Sequence, residues 1–193
     1  MRWLAAFGSC AFLLAGSVNC RAQLGDNVSI DSGTVQNLNG HVAINEAAGA
    51  GNQESNAAVV TTAVGALNIS QQSTGNVGIR TTTGSTKIGD NAFAGSTGVI
   101  QVTQAGGVGN MLANAAFVGL DGPTGSMGPL SLSQVSNAPM PQSNANTTYH
   151  EQTGIASTAF SGVNGVVQAD QAAGNNNIAA NALSVHFEPG TIH

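Results

Sequence analysis

Apolar and small or polar positions alternate along three separate stretches of this chain, marked by Val42 and Ile44, by Ile100 and Val102, and by Val167 and Ala169. A period of two places successive side chains on opposite faces of a strand. In each stretch a Gly-rich bend follows, and a second short apolar segment runs on to a valine, so the pattern predicts strand, arc, strand. A helix over the Ala-rich residues from Asn56 to Leu67 is the competing reading. Gly49 and Gly51, or Gly106, Gly107 and Gly109, weigh against it, because each costs about 1 kcal/mol relative to alanine inside a helix.

The three stretches are copies of one 21-residue unit: GHVAINEAAGAGNQESNAAVV from Gly40, GVIQVTQAGGVGNMLANAAFV from Gly98 and GVVQADQAAGNNNIAANALSV from Gly165. Seven columns are identical, reading G-x6-A-x-G-x2-N-x3-N-A-x2-V. Self-similarity of this kind predicts one supersecondary unit whose apolar face is covered by neighbouring copies. The likeness extends upstream, where Ala92 to Gly98 match Ala159 to Gly165. The first copy is divergent there, with Val35 in place of Phe93 and Phe160 and Asn37 in place of Gly95 and Gly162. The expected fold is all-β, a β-solenoid of stacked β-arcs with flexible linkers.

The organisation follows. Residues 1–22 read as a secretory signal peptide, with Arg2, an apolar run from Leu4 to Gly16 and a small-residue exit at Ala22. Residues 23–60 carry the divergent first repeat, 61–90 a spacer, 91–118 the second repeat, 119–158 a second spacer, and 159–193 the third repeat and tail. Within the first spacer, Ala66 to Ser70 and Asn76 to Thr81 have the alternation of extra strands. The second holds four of the five prolines and reads as a flexible linker. No proline falls within a repeat, as strands that need every backbone N–H require.

The chemistry that repeats is amide chemistry. Asn52 and Asn56, Asn110 and Asn114, and Asn177 and Asn181 keep an i, i+4 spacing in every copy. If equivalent strands stack about 4.7 Å apart, equal amides lie over one another and hydrogen-bond as a ladder, which a column of carboxylates could not do. Turn geometry beside glycine is the alternative role, most of all for the first asparagine of each pair. Gln104 and Gln171 form a further column that begins at Glu46, and Gln101 pairs with Gln168. Gly40, Gly98 and Gly165, and Gly49, Gly107 and Gly174, are expected at the bends.

Composition narrows the function. Only 7% of residues are charged and 4% aromatic, with 26 glycines, so material for a catalytic pocket is scarce and no enzyme is expected. Loss of residues 1–22 removes both cysteines and leaves Arg80 and Lys87 against nine carboxylates, a balance of −7. Such a chain has no disulfide, and nucleic acid is not an expected partner. His41, His150, His186 and His193 share no spacing, and no calcium-repeat or HExxH pattern occurs, so no metal or cofactor is expected. No direct membrane anchor is expected either, since the apolar run near the start is short for a span.

With the signal peptide, three Ala/Gly/Asn/Gln-rich repeats and two unlike linkers, the chain resembles the subunits of Fap-type functional amyloids that Pseudomonas and related bacteria secrete into biofilm. The likeness rests on the A-x-G-x2-N-x3-N-A core and covers about residues 33–185. The chain departs from the major subunits in lacking a terminal Cys-x-x-Cys, ending instead Phe187 to His193, so a minor or accessory member fits as well. The resemblance implies a secreted, self-assembling fibre protein, other fibre subunits as partners, and export through a dedicated outer-membrane pore. A soluble chaperone, nucleator, capping factor or adhesin of such a fibre is the alternative expectation.

Overall fold

The computed structural model describes residues 26–61, 65–74, 83–120, 125–135 and 150–187. Among them every regular element is a strand. The first pass of the chain forms β1 (Asp26–Ile30), β2 (Asn39–Ala48), β3 (Gln53–Thr61) and β4 (Gly65–Thr74); the second forms β5 (Thr83–Ile88), β6 (Thr97–Val108), β7 (Met111–Leu120) and β8 (Gly125–Val135). The third forms β9 (His150–Ile155), β10 (Asn164–Asn175) and β11 (Ile178–Phe187).

Consecutive strands do not pair with each other. The first two passes each add one strand to each of four parallel sheets and the third adds one to three of them, giving the orders β1-β5-β9, β2-β6-β10, β3-β7-β11 and β4-β8 among the described residues. The register joins equivalent repeat residues: Gly40, Gly98 and Gly165 lie side by side, as do Ala47, Ala105 and Ala172, and Asn56, Asn114 and Asn181. The intervening turn at 31–38 is stacked in the same way, Val35 donating its N–H to Ala92 and Phe93 donating to Ala159.

Three thin cores separate the sheets. Ile30 and Ile88 meet Val42, Ile44, Ile100 and Val102 between the first two, with Val35 and Phe93 closing the side. Phe93 stacks on Phe160 with ring centroids 5.0 Å apart, and the smaller Val35 continues that column in the first pass. Ala105, Ala172 and Leu112 fill the narrow second gap, and Leu67, Ile69, Ala113, Ala115 and Phe117 the third. Alanine is the residue that lets two sheets approach this closely.

The divergent positions of the first copy keep the backbone unchanged. Asn37 adopts φ 54°, close to the 70° of Gly95 and the 67° of Gly162, and asparagine is the non-glycine residue best able to do so. Asn176 likewise stands where the other copies have Gly51 and Gly109.

Both spacers add strands. Ala66 to Ser70 lies in β4 as expected, whereas Asn76 to Thr81, like the signal peptide, falls outside the described residues. The second spacer, expected as linker alone, supplies β8 and β9. Pro129 lies in β8 where the register with β4 skips, Leu67 pairing with Met127 and Ile69 with Leu130. A bulge is where a strand tolerates a residue without an N–H.

Candidate functional site

The repeated asparagines stand in two columns. Asn114 donates its Nδ2 to Asn56 Oδ1 at 2.8 Å, and Asn181 donates to Asn114 Oδ1 at 3.0 Å. Each also reaches across the arc to its own first strand, Asn56 to the carbonyl of Ile44 (2.7 Å), Asn114 to Val102 (2.9 Å) and Asn181 to Ala169 (3.4 Å). One side chain thus ties two sheets together within a pass and ties that pass to its neighbour. Asn114, in the middle, is fully buried.

The first asparagine of each pair combines turn and column roles. Asn52 and Asn177 donate to the carbonyls of Ala48 and Ala173 four residues back, closing the arc. Their column continues through Asn52 Oδ1, which accepts the backbone N–H of Asn110, and Asn110 Oδ1, which accepts that of Asn177. Gly49, Gly107 and Gly174 begin these arcs with φ between 103° and 124°. Gly40, Gly98 and Gly165 occupy the second position of β2, β6 and β10, also at positive φ, and so enter the strands rather than the bends.

The glutamine column lies between the first two sheets. Gln104 donates to Glu46 Oε2 at 2.9 Å and Gln171 donates to Gln104 Oε1 at 2.6 Å. On the opposite face of the second sheet, Gln101 donates to Gln168 and accepts from His41 Nε2.

Three carboxyl groups share this buried polar system, and two of them, Glu54 and Asp170, carry no repeat signal. Burial raises the Glu46 carboxyl above its ordinary range, the bond from Gln104 opposing and the Asp31 charge adding to the rise. Burial pushes Glu54 up to about 9, with the Glu46 charge adding, and Asp170 up to about 6 against the bond from Asn181. Glu54 Oε1 and Asp170 Oδ2 are buried without a hydrogen-bond partner. A carboxyl whose proton is held more tightly in the folded state contributes fully below its unfolded pKa, and the contribution is lost as pH rises through the folded value. The melting temperature is therefore expected to fall as pH is raised from about 4 towards 9, through Asp170 and Glu54 together up to about 6 and through Glu54 beyond it. Asp170→Asn is expected to make the part of that decline below about pH 6 shallower in a series of thermal melts and to leave the upper part unchanged.

The third-pass end of the stack differs from its middle, whereas the first-pass residues Ile30 and Val42 are only 3% and 6% exposed. In the third pass Ile155, Val167 and Ile178 are 48%, 39% and 50% exposed, whereas their second-pass counterparts Ile88, Ile100 and Met111 are wholly buried. Among the described residues no group of three or more His, Cys, Asp or Glu is placed to hold a metal ion.

A family model described as the functional amyloid protein FapB/FapC family matches residues 14–188. No solved structure matches the chain.

Proposed function

Because the chain belongs to the functional amyloid protein FapB/FapC family, we propose that it is a secreted structural protein, without enzymatic activity, whose copies stack end to end into the cross-β fibres of a biofilm matrix. Its three passes form a β-solenoid of stacked arcs, and the third pass of one copy continues the sheets on the first pass of the next. It acts with itself and with other fibre subunits, and leaves the cell through the periplasm and an outer-membrane pore.

The observation that carries this reading is the exposure of Ile155, Val167 and Ile178 at the third pass, when the same positions are sealed in the middle pass by a strand on either side. Another pass would cover what remains exposed, which for half-buried aliphatic side chains is worth about half of the roughly 1.5–3 kcal/mol that full burial gives. Among the described residues β9, β10 and β11 each have a strand neighbour on one side only, and an open parallel edge with few charges is a template for pairing. Self-pairing asparagine columns add specificity for an identical register.

The test is to incubate purified protein alone at micromolar concentration and record thioflavin fluorescence and fibre diffraction. The expected result is fibres with reflections near ~4.7 and ~10 Å. A chain that stays monomeric and delays the assembly of a fibre-forming partner would replace this reading by that of a chaperone or capping factor.

A further inference from the structure

We propose that the joint between successive copies of this chain is closed by a proton on Glu46, which there donates a hydrogen bond to Gln171 of the preceding copy. The inference rests on the end-to-end stacking proposed above and specifies its chemistry.

The glutamine column has a direction. Gln104 Nε2 donates backwards to Glu46, and Gln171 Nε2 donates backwards to Gln104. The same two nitrogens also donate across the gap between sheets, to the carbonyls of Lys87 at 3.1 Å and Gly154 at 3.3 Å. These paired bonds hold each amide in one orientation, with its oxygen turned to the pass that follows. Among the described residues the column therefore ends, at the third pass, on Gln171 Oε1, an acceptor. At the first pass it begins with Glu46, whose ionised carboxylate is acceptor only.

Stacking in the same register sets these two acceptors against each other. Turning the Gln171 amide over does not relieve the conflict, because it forfeits the bond to Gly154 and faces Gln171 Oε1 towards Gln104 Oε1. A single proton on Glu46 does relieve it, converting the contact into an O–H···O bond. The asparagine columns need no such change. Asn56 can donate to Asn181 of the preceding copy as Asn114 donates to Asn56 within the chain, by exchanging its bond to Asn45 Oδ1 for the new one, and the Asn52 backbone N–H can donate to Asn177 as that of Asn110 donates to Asn52. Asn45, which precedes Thr103 and Asp170 in its column, brings an amide to the buried, unpartnered Asp170 Oδ2.

The charges around Glu46 favour the proton. Asp26 on β1, Asp31 in the 31–38 turn and Glu54 on β3 are acidic, Lys87 on β5 is exposed and basic, His41 lies on β2 itself, and β6 carries no titratable side chain. The preceding copy would bring Asp170 on β10 and His150 and Glu151 on β9. Burial already raises the Glu46 carboxyl in the single chain, and a further pass removes its remaining contact with water. A carboxyl that binds its proton more tightly in the stacked state favours stacking at low pH, and that contribution disappears as pH rises through the stacked-state pKa.

The experiment is to measure the critical concentration for fibre growth as a function of pH, since the slope of its logarithm counts protons taken up per added chain. Wild type is expected to show a slope that Glu46→Gln lowers by up to about one proton, with growth at neutral pH no weaker than wild type, because glutamine supplies the missing donor. Asp90→Asn, an equal change of charge at an exposed position in the second pass, is expected to leave the slope unaltered. Gln171→Glu, with a carboxyl on both sides of the joint, is expected to steepen it. Fibres of wild type and Glu46→Gln with equal slopes would overturn the proton joint alone. Absence of wild-type fibres at every pH would overturn the stacking itself and the joint with it.

Discussion

A single methyl group on Gly107 is expected to abolish the ordered stack. Gly107 has φ 124°, a conformation that costs any other residue about 1–3 kcal/mol, and a Cβ there would run into the carbonyl oxygen of Gly174 in the next pass. Neither backbone can yield, because both lie within the continuous ladder that pairs Asn164–Asn175 with Thr97–Val108. The combined cost of at least ~3 kcal/mol is a large part of the ~5–15 kcal/mol that holds a domain together, and Gly107→Ala is expected to lose its cooperative transition in denaturant-monitored circular dichroism. The same change at Gly40 is informative by contrast. Gly40 also has a positive φ, 108°, but among the described residues nothing beyond its own chain neighbours lies within 4 Å of its missing Cβ. Under the proposed stacking that methyl would meet Gly165 of the preceding copy, as a Cβ on Gly98 would meet Gly40 within the chain. Gly40→Ala is therefore expected to fold better than Gly107→Ala and still to stop fibre growth; growth at the wild-type rate would count against the stacked register.

Asn114→Asp is the second change with a large expected effect. The side chain is fully buried, donates to Asn56 Oδ1 and Val102 O, and accepts from Asn181. A carboxylate would keep the last bond and turn both donations into repulsions, and an uncompensated buried charge costs roughly 3–5 kcal/mol. Asn114→Ala, which removes the bonds without adding charge, is expected to cost about 1–3 kcal/mol. The aspartate will relieve itself by binding a proton, so part of the lost stability is expected to return on acidification, which separates charge from packing in a single denaturation series. With Asn181 also changed to Asp, fibre formation at neutral pH is expected to be slowed or abolished, and unaltered assembly kinetics would remove the asparagine column from the mechanism.

Much of this arrangement is written locally. Strand character follows from alternation at Val42 and Ile44 and its copies, and the bends follow from glycines, because positive φ is a property of the residue itself. The columns are legible because equal side chains recur at fixed offsets of 58 and 67 residues. The first sheet was harder to see, since β1, β5 and β9 share little beyond a final isoleucine at Ile30, Ile88 and Ile155, whose offsets are the same. The strand character of 125–135 was hidden by Pro129, which signals linker unless the bulge that accommodates it is known.

Local chemistry thus sets which residues extend, which bend and which recur. The tertiary structure decided what pairs with what. A strand, bend and strand can close as a hairpin, but here each repeat strand turns its backbone to the residue 58 or 67 positions away and only its side chains to the strand beyond the bend. That choice depends on covering the alanine faces and amides of one pass with those of the next, an energy no single repeat contains. It also decided the state of Glu46, Glu54 and Asp170: nothing adjacent in sequence marks them as buried, and only the closing of sheets over them raises their hold on protons.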